Sequence, residues 1–457
     1  MEKFQNYQTI RLYYTYTYAF DCIDAARFYQ YPMQTMTTTL KDKFFAPVVL
    51  ALSRAENSRT CNEYSDREHL SSGIQRVLQT VTSGRDWVQR LRLKFKLNLS
   101  VSNFFSSLRS ARRKQLVEEV SMDVRAQTDR NICHGQSDPL SVHTELNGFA
   151  VYASDGHSHK ASAHESPIKD KKRAVTHIYT CNLRSHSLAH TALTNAALTK
   201  KKEHEITTLK QIGGKALRMG EAKGIKVIQV YDPAIIDYNE WFKWKKGHGL
   251  YILTLEKSNS ALRVLGEPEW NQADERNRGV LKDELVGPSN GTVMRRVTYK
   301  DPLAGKVYRF ITNELTLPPG LIAFLYKLRW DIEKIFDQVK NKLLEQKAWA
   351  KSATAKIQQA HFIALAHNLM LLLSHQIEIE EGISDEKSQR KRKQTRNREL
   401  EQLQVNSEQM NSLVLNWKRV TQRCLQFIRW VRHCLENQTP WREAISLLRP
   451  LMQNYLH

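Results

Sequence analysis

Four polar residues with regular spacing suggest phosphate chemistry: Tyr326, Arg329, Glu333 and Lys340. They lie in residues 325–343, a stretch without Gly or Pro whose pattern predicts an α-helix. At about 100° per residue, the last three lie roughly 300°, 340° and 320° around the axis from the tyrosine, so all four share one narrow stripe. A carboxylate there can hold a metal ion while Arg and Lys bind phosphate oxygens beside it. The same spacing also fits a solvated helix stabilised by its own charge pairs.

The apolar residues of this stretch fall in a neighbouring arc, at roughly 180° to 280° from the tyrosine. They are Leu325, Leu328, Ile332, Ile335, Val339 and Leu343. Such an arc is typical of a helix that packs one face into a core. Glu333 is therefore expected at the lip of a buried surface.

Two aspartates follow apolar segments that are typical of β-strands. Asp155 comes after FAVYAS, and Asp232 comes after KVIQVY. Between them the sequence predicts two further strands and a charged helix at about 197–221. Three strands, a helix and a fourth strand, with an aspartate ending the first and the fourth, is the order of an RNase H-like α/β domain.

Asp155, Asp232 and Glu333 are expected to converge, because strand ends in α/β sheets line the functional crevice. Three carboxylates at one point repel each other unless cations join them. Two Mg²⁺ ions about 3.5–4 Å apart would satisfy such a site and support in-line attack at phosphate. Asp237 competes for the role of second acid, but it lies five residues beyond the strand end, in the helix predicted to follow.

Composition points to a large polyanionic partner. Lys and Arg number 69 against 47 acidic residues, which gives the 457-residue chain a formal net charge of +22. This excess favours nucleic acid, although a merely soluble basic protein has the same property. Six scattered cysteines without a C-x-x-C pair argue against a zinc module or a disulfide framework and fit a reducing cytosol. No apolar run approaches the ~18 residues of a membrane span, so no membrane partner is expected.

The pattern along the chain predicts an α/β fold with an RNase H-like core, a β-rich insertion and helical ends. The predicted boundaries are 1–145 for a mainly helical region, 146–248 for the first part of the core, 249–315 for the insertion, 316–380 for the second part of the core, and 381–457 for a charged linker and helical tail. The first region contains a short helix with an apolar face and a basic end, which fits a DNA-end-binding module and fits a connecting helix equally well. The basic residues are Arg109, Arg112, Arg113 and Lys114.

The spacing Tyr-x2-Arg-x3-Glu-x6-Lys resembles the Y-R-E-K signature of the IS4 family of bacterial transposases. The flanks, FITNELTLPPGLIAFLYKLRWDIEKIFDQVK, are similar to that family throughout. Asp155 in VYASDG and Asp232 in VYDPA fall where the first and second acids of the family belong. The resemblance covers residues 148–375.

This resemblance implies that Asp155, Asp232 and Glu333 are DDE ligands of two Mg²⁺ ions, for which Mn²⁺ can substitute. Tyr326, Arg329 and Lys340 would contact phosphates of the transposon end. Family members cut double-stranded DNA at inverted repeats and join the freed 3′ ends to target DNA. The resemblance further implies a cut-and-paste reaction, a homodimer in the synaptic complex, and a nucleoid-associated location in the bacterial cytoplasm.

Some family members pass through a hairpin intermediate, in which an aromatic residue of the β insertion stacks on a flipped base. Trp270 is the only Trp between Tyr251 and Leu325 and is the candidate for that role, with an ordinary packed Trp as the alternative. Two other functions stay open for the whole chain. One is an RNase H-like nuclease of branched DNA, and the other is a catalytically silent, DNA-binding transposase remnant.

Overall fold

Among the residues that the structure describes, nine strands form one mixed sheet, as seen in a computed structural model. The strands are β1 (Phe149–His159), β2 (Val175–Asn182), β3 (Leu188–Leu193), β4 (Lys226–Val230), β5 (Leu250–Leu255), β6 (Arg263–Gly266), β7 (Val280–Gly287), β8 (Met294–Lys300) and β9 (Val307–Thr312). Their order across the sheet is β3-β2-β1-β4-β5-β9-β8-β7-β6. β1, β4 and β5 run parallel, and every other neighbouring pair is antiparallel.

The helices that surround the sheet lie at both ends of the chain and between its strands. They are α1 (Leu40–Arg54), α2 (Asp66–Leu78), α3 (Gly84–Phe95), α4 (Val101–Arg109), α5 (Ala111–Cys133), α6 (Glu205–Leu217), α7 (Tyr238–His248), α8 (Pro319–Leu328), α9 (Trp330–Asp337), α10 (Ala353–Glu380), α11 (Leu425–Asn437) and α12 (Trp441–Tyr455). The structure describes residues 38–60, 63–80, 83–133, 138, 140–162, 165–166, 174–194, 204–288, 291–301, 305–383, 394, 398 and 425–455.

Hydrophobic cores cover both faces of the sheet at β1. Successive residues of a strand point to opposite sides, so neighbouring residues of β1 belong to different cores. In β1, Tyr152 belongs to one hydrophobic core, together with Leu209 of α6 and Trp241 of α7. Its neighbours Val151 and Ala153 belong to the other core, on the side of the terminal helices and α8 to α10. Parallel strands buried on both faces are the expected state of an α/β sheet. The α/β class and the RNase H-like order of β1 to β5 are confirmed.

α10 is the helix around which the second core is built. It packs against α5, α2 and β3. By length and composition α10 could cross a membrane, but 67% of its most apolar window is buried inside the protein, as in the core helix of a soluble protein. The apolar residues of α10 thus belong to a core helix.

The β-rich stretch predicted at 249–315 contains β5 to β9, and it does not form a separate layer. β5 pairs in parallel with β4, in the register Val227↔Leu250, so it is a strand of the core sheet. β9 then pairs antiparallel with β5, and β8, β7 and β6 continue outward from it. The insertion therefore extends the core sheet by hydrogen bonding along its edge.

The uninterrupted helix predicted over 325–343 is wrong in its details. α8 ends at Leu328 and α9 begins at Trp330, although Arg329 between them keeps helical angles (φ −52°, ψ −32°). The segment then continues as a π-helix, Gln338–Lys342. Because a π-helix closes i→i+5 bonds, such as Leu343 N–H to Gln338 O at 3.1 Å, rotation by 100° per residue no longer holds there.

The apolar arc of the same segment is confirmed. All six residues assigned to it are at most 3% exposed. The arc faces the second core, so packing against the sheet, and not helix propensity, sets the orientation of α8 and α9.

Gly320, near the start of α8, is where the insertion contacts this helix. Its backbone N–H donates to Asn277 Oδ1 at 2.9 Å. A Cβ at this position would lie 1.8 Å from the backbone oxygen of Arg276. No side chain except hydrogen fits without displacing the backbone of the insertion.

Replacing Gly320 by Ala is expected to lower the free energy of unfolding by about 1–3 kcal/mol, because the methyl group overpacks a backbone contact. Gly247 in α7 is the matched control, since its Cβ would meet no atom within 4 Å. Gly247→Ala should leave stability unchanged or raise it by up to about 1 kcal/mol through helix propensity. Urea unfolding of both variants measures the difference. Equal effects of the two substitutions would contradict the contact.

Candidate active site

The parallel register of β1 and β4 places two aspartates at the same level. Ala153 pairs with Val230, and this is the last parallel pair between the two strands. Asp155 and Asp232 each follow two residues later, so both lie just beyond the end of that ladder. Carboxyl ends of parallel strands open onto the crevice where α/β proteins place their sites.

The backbone at Asp155 differs from the predicted strand end, whereas Asp232 follows the end of its strand as predicted. β1 continues through Asp155 to His159, where it is paired only with β2, so Asp155 lies within a strand. Asp232 ends its strand as predicted, and its Oδ1 accepts a hydrogen bond from Ala234 N–H at 2.9 Å at the start of a short 3₁₀ turn. β1 outlasts β4 because its other neighbour, β2, still supplies hydrogen bonds.

Glu333 reaches the same region from α9, and Arg329 joins it to Asp155. Arg329 Nη2 donates to Glu333 Oε1 at 2.9 Å, and Nη1 lies 3.4 Å from Asp155 Oδ2. The Glu333 side chain is 36% exposed and the Asp155 side chain 21%, whereas the Arg329 side chain is 8% exposed. One buried guanidinium thus lies between two half-open carboxylates.

The pKa of Asp155 responds to burial and to the charges of its neighbours. Burial raises the pKa of Asp155 to about 6. The negative charges of Asp232 and Glu333 raise this pKa further, while the Gly156 N–H and Arg329 lower it. The three carboxylates therefore act on one another, as expected of groups around one crevice.

The four residues of the predicted stripe differ in accessibility. Tyr326 and Arg329 are each 7% exposed, Glu333 is half-buried, and Lys340 is exposed on the π-helix. The guanidinium of Arg329 lies 5.6 Å from the centroid of the Tyr326 ring. Burial raises the pKa of the Tyr326 phenol, so the phenol stays neutral. Its ring stabilises the guanidinium by a cation–π contact.

The competing acid Asp237 is held in a structural role. Its Oδ1 accepts from Glu240 N–H at 3.0 Å and so caps α7, and its other oxygen pairs with Lys210. These contacts hold the pKa of Asp237 below its usual value. Both carboxylate oxygens of Asp237 thus have partners within the protein.

The basic residues near α4 and α5 are mostly engaged within the protein. Arg112 forms a two-pronged pair with Asp66, at 2.7 Å for each bond, and Lys114 pairs with Glu118 at 3.1 Å. Arg109 is exposed. Arg113 also lies 3.4 Å from Asp66. Three of the four basic residues therefore have acidic partners within the protein.

The donor atoms at the crevice fit a divalent ion in their chemistry, because carboxylate oxygens are the ligands that Mg²⁺ prefers. In their present arrangement they are not a ligand set. Across the described ranges, no group of three or more His, Cys, Asp or Glu side chains is placed to hold a metal ion. Two of the carboxylates, Asp155 and Glu333, instead share the Arg329 guanidinium as their counter-ion.

The segment that contains these residues is similar to a known domain family. Residues 147–369 match the family model of the transposase DDE domain. No curated protein matches the chain. The matched segment begins just before β1 and ends within α10, so it includes all three carboxylates and the insertion. The match is to the DDE domain as a whole, whose RNase H-like fold agrees with the observed sheet.

Two tryptophans bear on DNA binding by the transposase DDE domain. Trp270, the residue of the insertion predicted to stack on a base, is partly buried and packs on the second core. Trp330 is 56% exposed, and the Arg329 guanidinium lies 5.7 Å from its ring centroid. The sequence analysis missed Trp330, although helical rotation places it roughly 40° from Tyr326, well outside the apolar arc.

Behind the carboxylates, β1 carries two histidines into a buried histidine cluster. Consecutive ring centroids lie 4.9 to 5.1 Å apart. The members of the cluster, in order of contact, are His157, His159, His177, His190 and His361. Neither ring nitrogen of His159 has a hydrogen-bond partner among the described residues. Burial, helped by the charge of His157, lowers the pKa of His159 to about 3.

The histidine cluster predicts acid-induced loss of stability. Between pH about 6.5 and 3, the unfolded chain binds a proton at His159 that the folded protein excludes, so the free energy of unfolding falls as pH falls, by about 1.4 kcal/mol per pH unit. His159→Leu should remove about 2 kcal/mol of the loss between pH 7 and 5. Chemical unfolding at a series of pH values measures it. The exposed His433→Leu is the control, and equal pH slopes for both variants would contradict the assignment.

Proposed function

We propose that this protein is a DNA transposase that cleaves at transposon ends and joins the freed 3′ ends to target DNA. The proposal is supported by the Arg329 bridge between Asp155 and Glu333, by the equal level of Asp155 and Asp232 after β1 and β4 lose their pairing, and by the match of the surrounding segment to the transposase DDE domain. The Y-R-E-K spacing supports assignment to the IS4 family and to cut-and-paste transposition.

In this proposal, Asp155, Asp232 and Glu333 hold two Mg²⁺ ions, or Mn²⁺ in their place. The ions would activate a water or a DNA 3′-hydroxyl and stabilise the leaving oxygen. The protein contributes the position of these oxygens: two are set by the register of β1 and β4, and the third by α9 packed on the second core.

The cations near the crevice would bind the DNA backbone. Arg329 has a planar fork that suits phosphate, and exposed Lys340 would bind a neighbouring phosphate as a point charge. Tyr326 would hold Arg329 through the cation–π contact, and its hydroxyl group would contact the same phosphate. The net charge of +22 would supply the affinity for DNA that does not depend on sequence.

Further parts of the proposal concern the chain ends. The region 1–145, predicted to be mainly helical and described by the structure only from residue 38 onward, would contact transposon ends. The protein would act as a homodimer because two ends must be brought together. The C-terminal helices could contribute to such a dimer; they are anchored on α1, where Leu40 N–H donates to Thr439 O at 2.9 Å. The protein would work on the nucleoid in the bacterial cytoplasm.

Glu333→Gln is expected to lower Mg²⁺-dependent cleavage at least about 100-fold, because even the partners of metal ligands contribute 10–100-fold. The substrate is a plasmid that carries the DNA flanking the gene, and the readout is mapped cuts with free 3′-hydroxyls. Glu267→Gln, an exposed position in the insertion, is the matched control and should cleave like wild type. Cleavage only at branched DNA would favour the nuclease, and binding without cleavage by any variant would favour a silent remnant.

The two tryptophans can be separated by paired substitutions. If Trp330 stacks on a DNA base, Trp330→Ala should weaken binding of a transposon-end duplex by about 1–3 kcal/mol, with little change in melting temperature. Trp270→Ala should mainly lower the melting temperature, because that ring packs on the core. Fluorescence anisotropy and thermal unfolding measure the two effects. The reverse pattern would assign the stacking role to Trp270.

A further inference from the structure

The guanidinium of Arg329 occupies a position that a metal ion would need. It bridges Glu333 Oε1 at 2.9 Å and Asp155 Oδ2 at 3.4 Å. Two acids that repel one another are thereby neutralised by a cation that belongs to the chain itself. A divalent ion that bridged the same two oxygens would bring a second positive charge into contact with the guanidinium, which is unfavourable in a half-buried site.

Little else among the described residues holds the guanidinium in place. Its Nε is buried and has no hydrogen-bond partner there. The guanidinium also contacts the Tyr326 phenol, and the ring centroids of Tyr326 and the exposed Trp330 lie 5.6 Å and 5.7 Å from it. Aromatic faces attract a cation from several directions, so they support the guanidinium without dictating one anionic partner.

A DNA phosphate offers Arg329 the same two-pronged contact as the two carboxylates. Phosphate oxygens accept parallel N–H bonds from a guanidinium, and such charge-assisted pairs are strong. Trp330 beside this cation is exposed, and the side chains of Glu333 and Asp155 are 36% and 21% exposed, so the ion pair lies next to solvent although the guanidinium itself is buried. A phosphate that bound there would withdraw the positive charge from Asp155 and Glu333.

We propose that Arg329 is an internal counter-cation that keeps Asp155 and Glu333 from binding a divalent ion until a DNA phosphate takes over the guanidinium. This inference rests on the proposed function and deepens it. Metal and DNA then bind cooperatively, and the coupling is reciprocal, as any linkage between two ligands must be. In the free protein the guanidinium offsets one of the negative charges of Asp155 and Glu333, which protects the protein from acting without its substrate.

The test is Mn²⁺ binding to the full chain, followed by the electron paramagnetic resonance signal of free Mn²⁺. Without DNA, Arg329→Gln should bind Mn²⁺ at least about five-fold more tightly than wild type. Lys340→Gln loses the same charge from an exposed position of the same segment and should change the affinity much less. Asp155→Asn should abolish the site.

A short duplex of the flanking sequence tests the coupling, with Mn²⁺ bound by the duplex alone subtracted. The duplex should raise the Mn²⁺ affinity of wild type at least about five-fold and should not raise that of Arg329→Gln. Equal or weaker Mn²⁺ binding by Arg329→Gln, with binding still abolished by Asp155→Asn, overturns this inference and leaves the proposed function standing. Mn²⁺ binding that survives Asp155→Asn overturns both.

Circular dichroism and thermal unfolding check that the variants fold. If Arg329→Gln does not fold, Arg329→Lys carries the test. A lysine keeps the charge but lacks the planar fork that spans both carboxylates, so its Mn²⁺ affinity should lie above wild type. An affinity equal to wild type in this variant would show that the bridge does not compete with metal.

Discussion

Three carboxylates cannot share a half-buried crevice without positive charge between them, and this constraint organises the site. Asp155 shows the cost directly, since burial and two neighbouring acids raise its pKa to about 6. Arg329 offsets that cost within the chain itself. The arrangement is therefore compatible with a folded state that contains no metal ion, and in our proposal it binds one only when the guanidinium finds another anion.

The rest of the fold serves to hold these groups at fixed positions. The parallel pairing of β1 and β4 sets two aspartates at one level, and hydrophobic cores on both faces prevent the sheet from shifting. Because a shift by one residue would turn every side chain to the opposite face, the register is strongly determined. The third acid comes from α9, whose apolar arc is buried against the same core.

The insertion contributes to the site through its contact with α8. It extends the core sheet from β5 and returns to the start of α8 at Gly320, where no Cβ could be accommodated. The helix that leads to Arg329 and Glu333 is therefore fixed at its first turn by the insertion and along its length by the core. A change in the insertion can thus reach the active site through one backbone contact.

Local patterns in the sequence determined the two strand-following aspartates, the apolar arc of 325–343, the α/β class and the excess of positive charge. These depend on spacing along the chain, which periodicity reports directly. Tertiary structure alone decided the rest. Helical rotation predicted one exposed stripe, but packing buried Tyr326 and Arg329, a π-helix redirected Lys340, and ion pairs engaged Arg112. Which anion a buried cation contacts depends on groups brought together from distant parts of the chain, as Arg329 is with Asp155, and no local spacing encodes that choice.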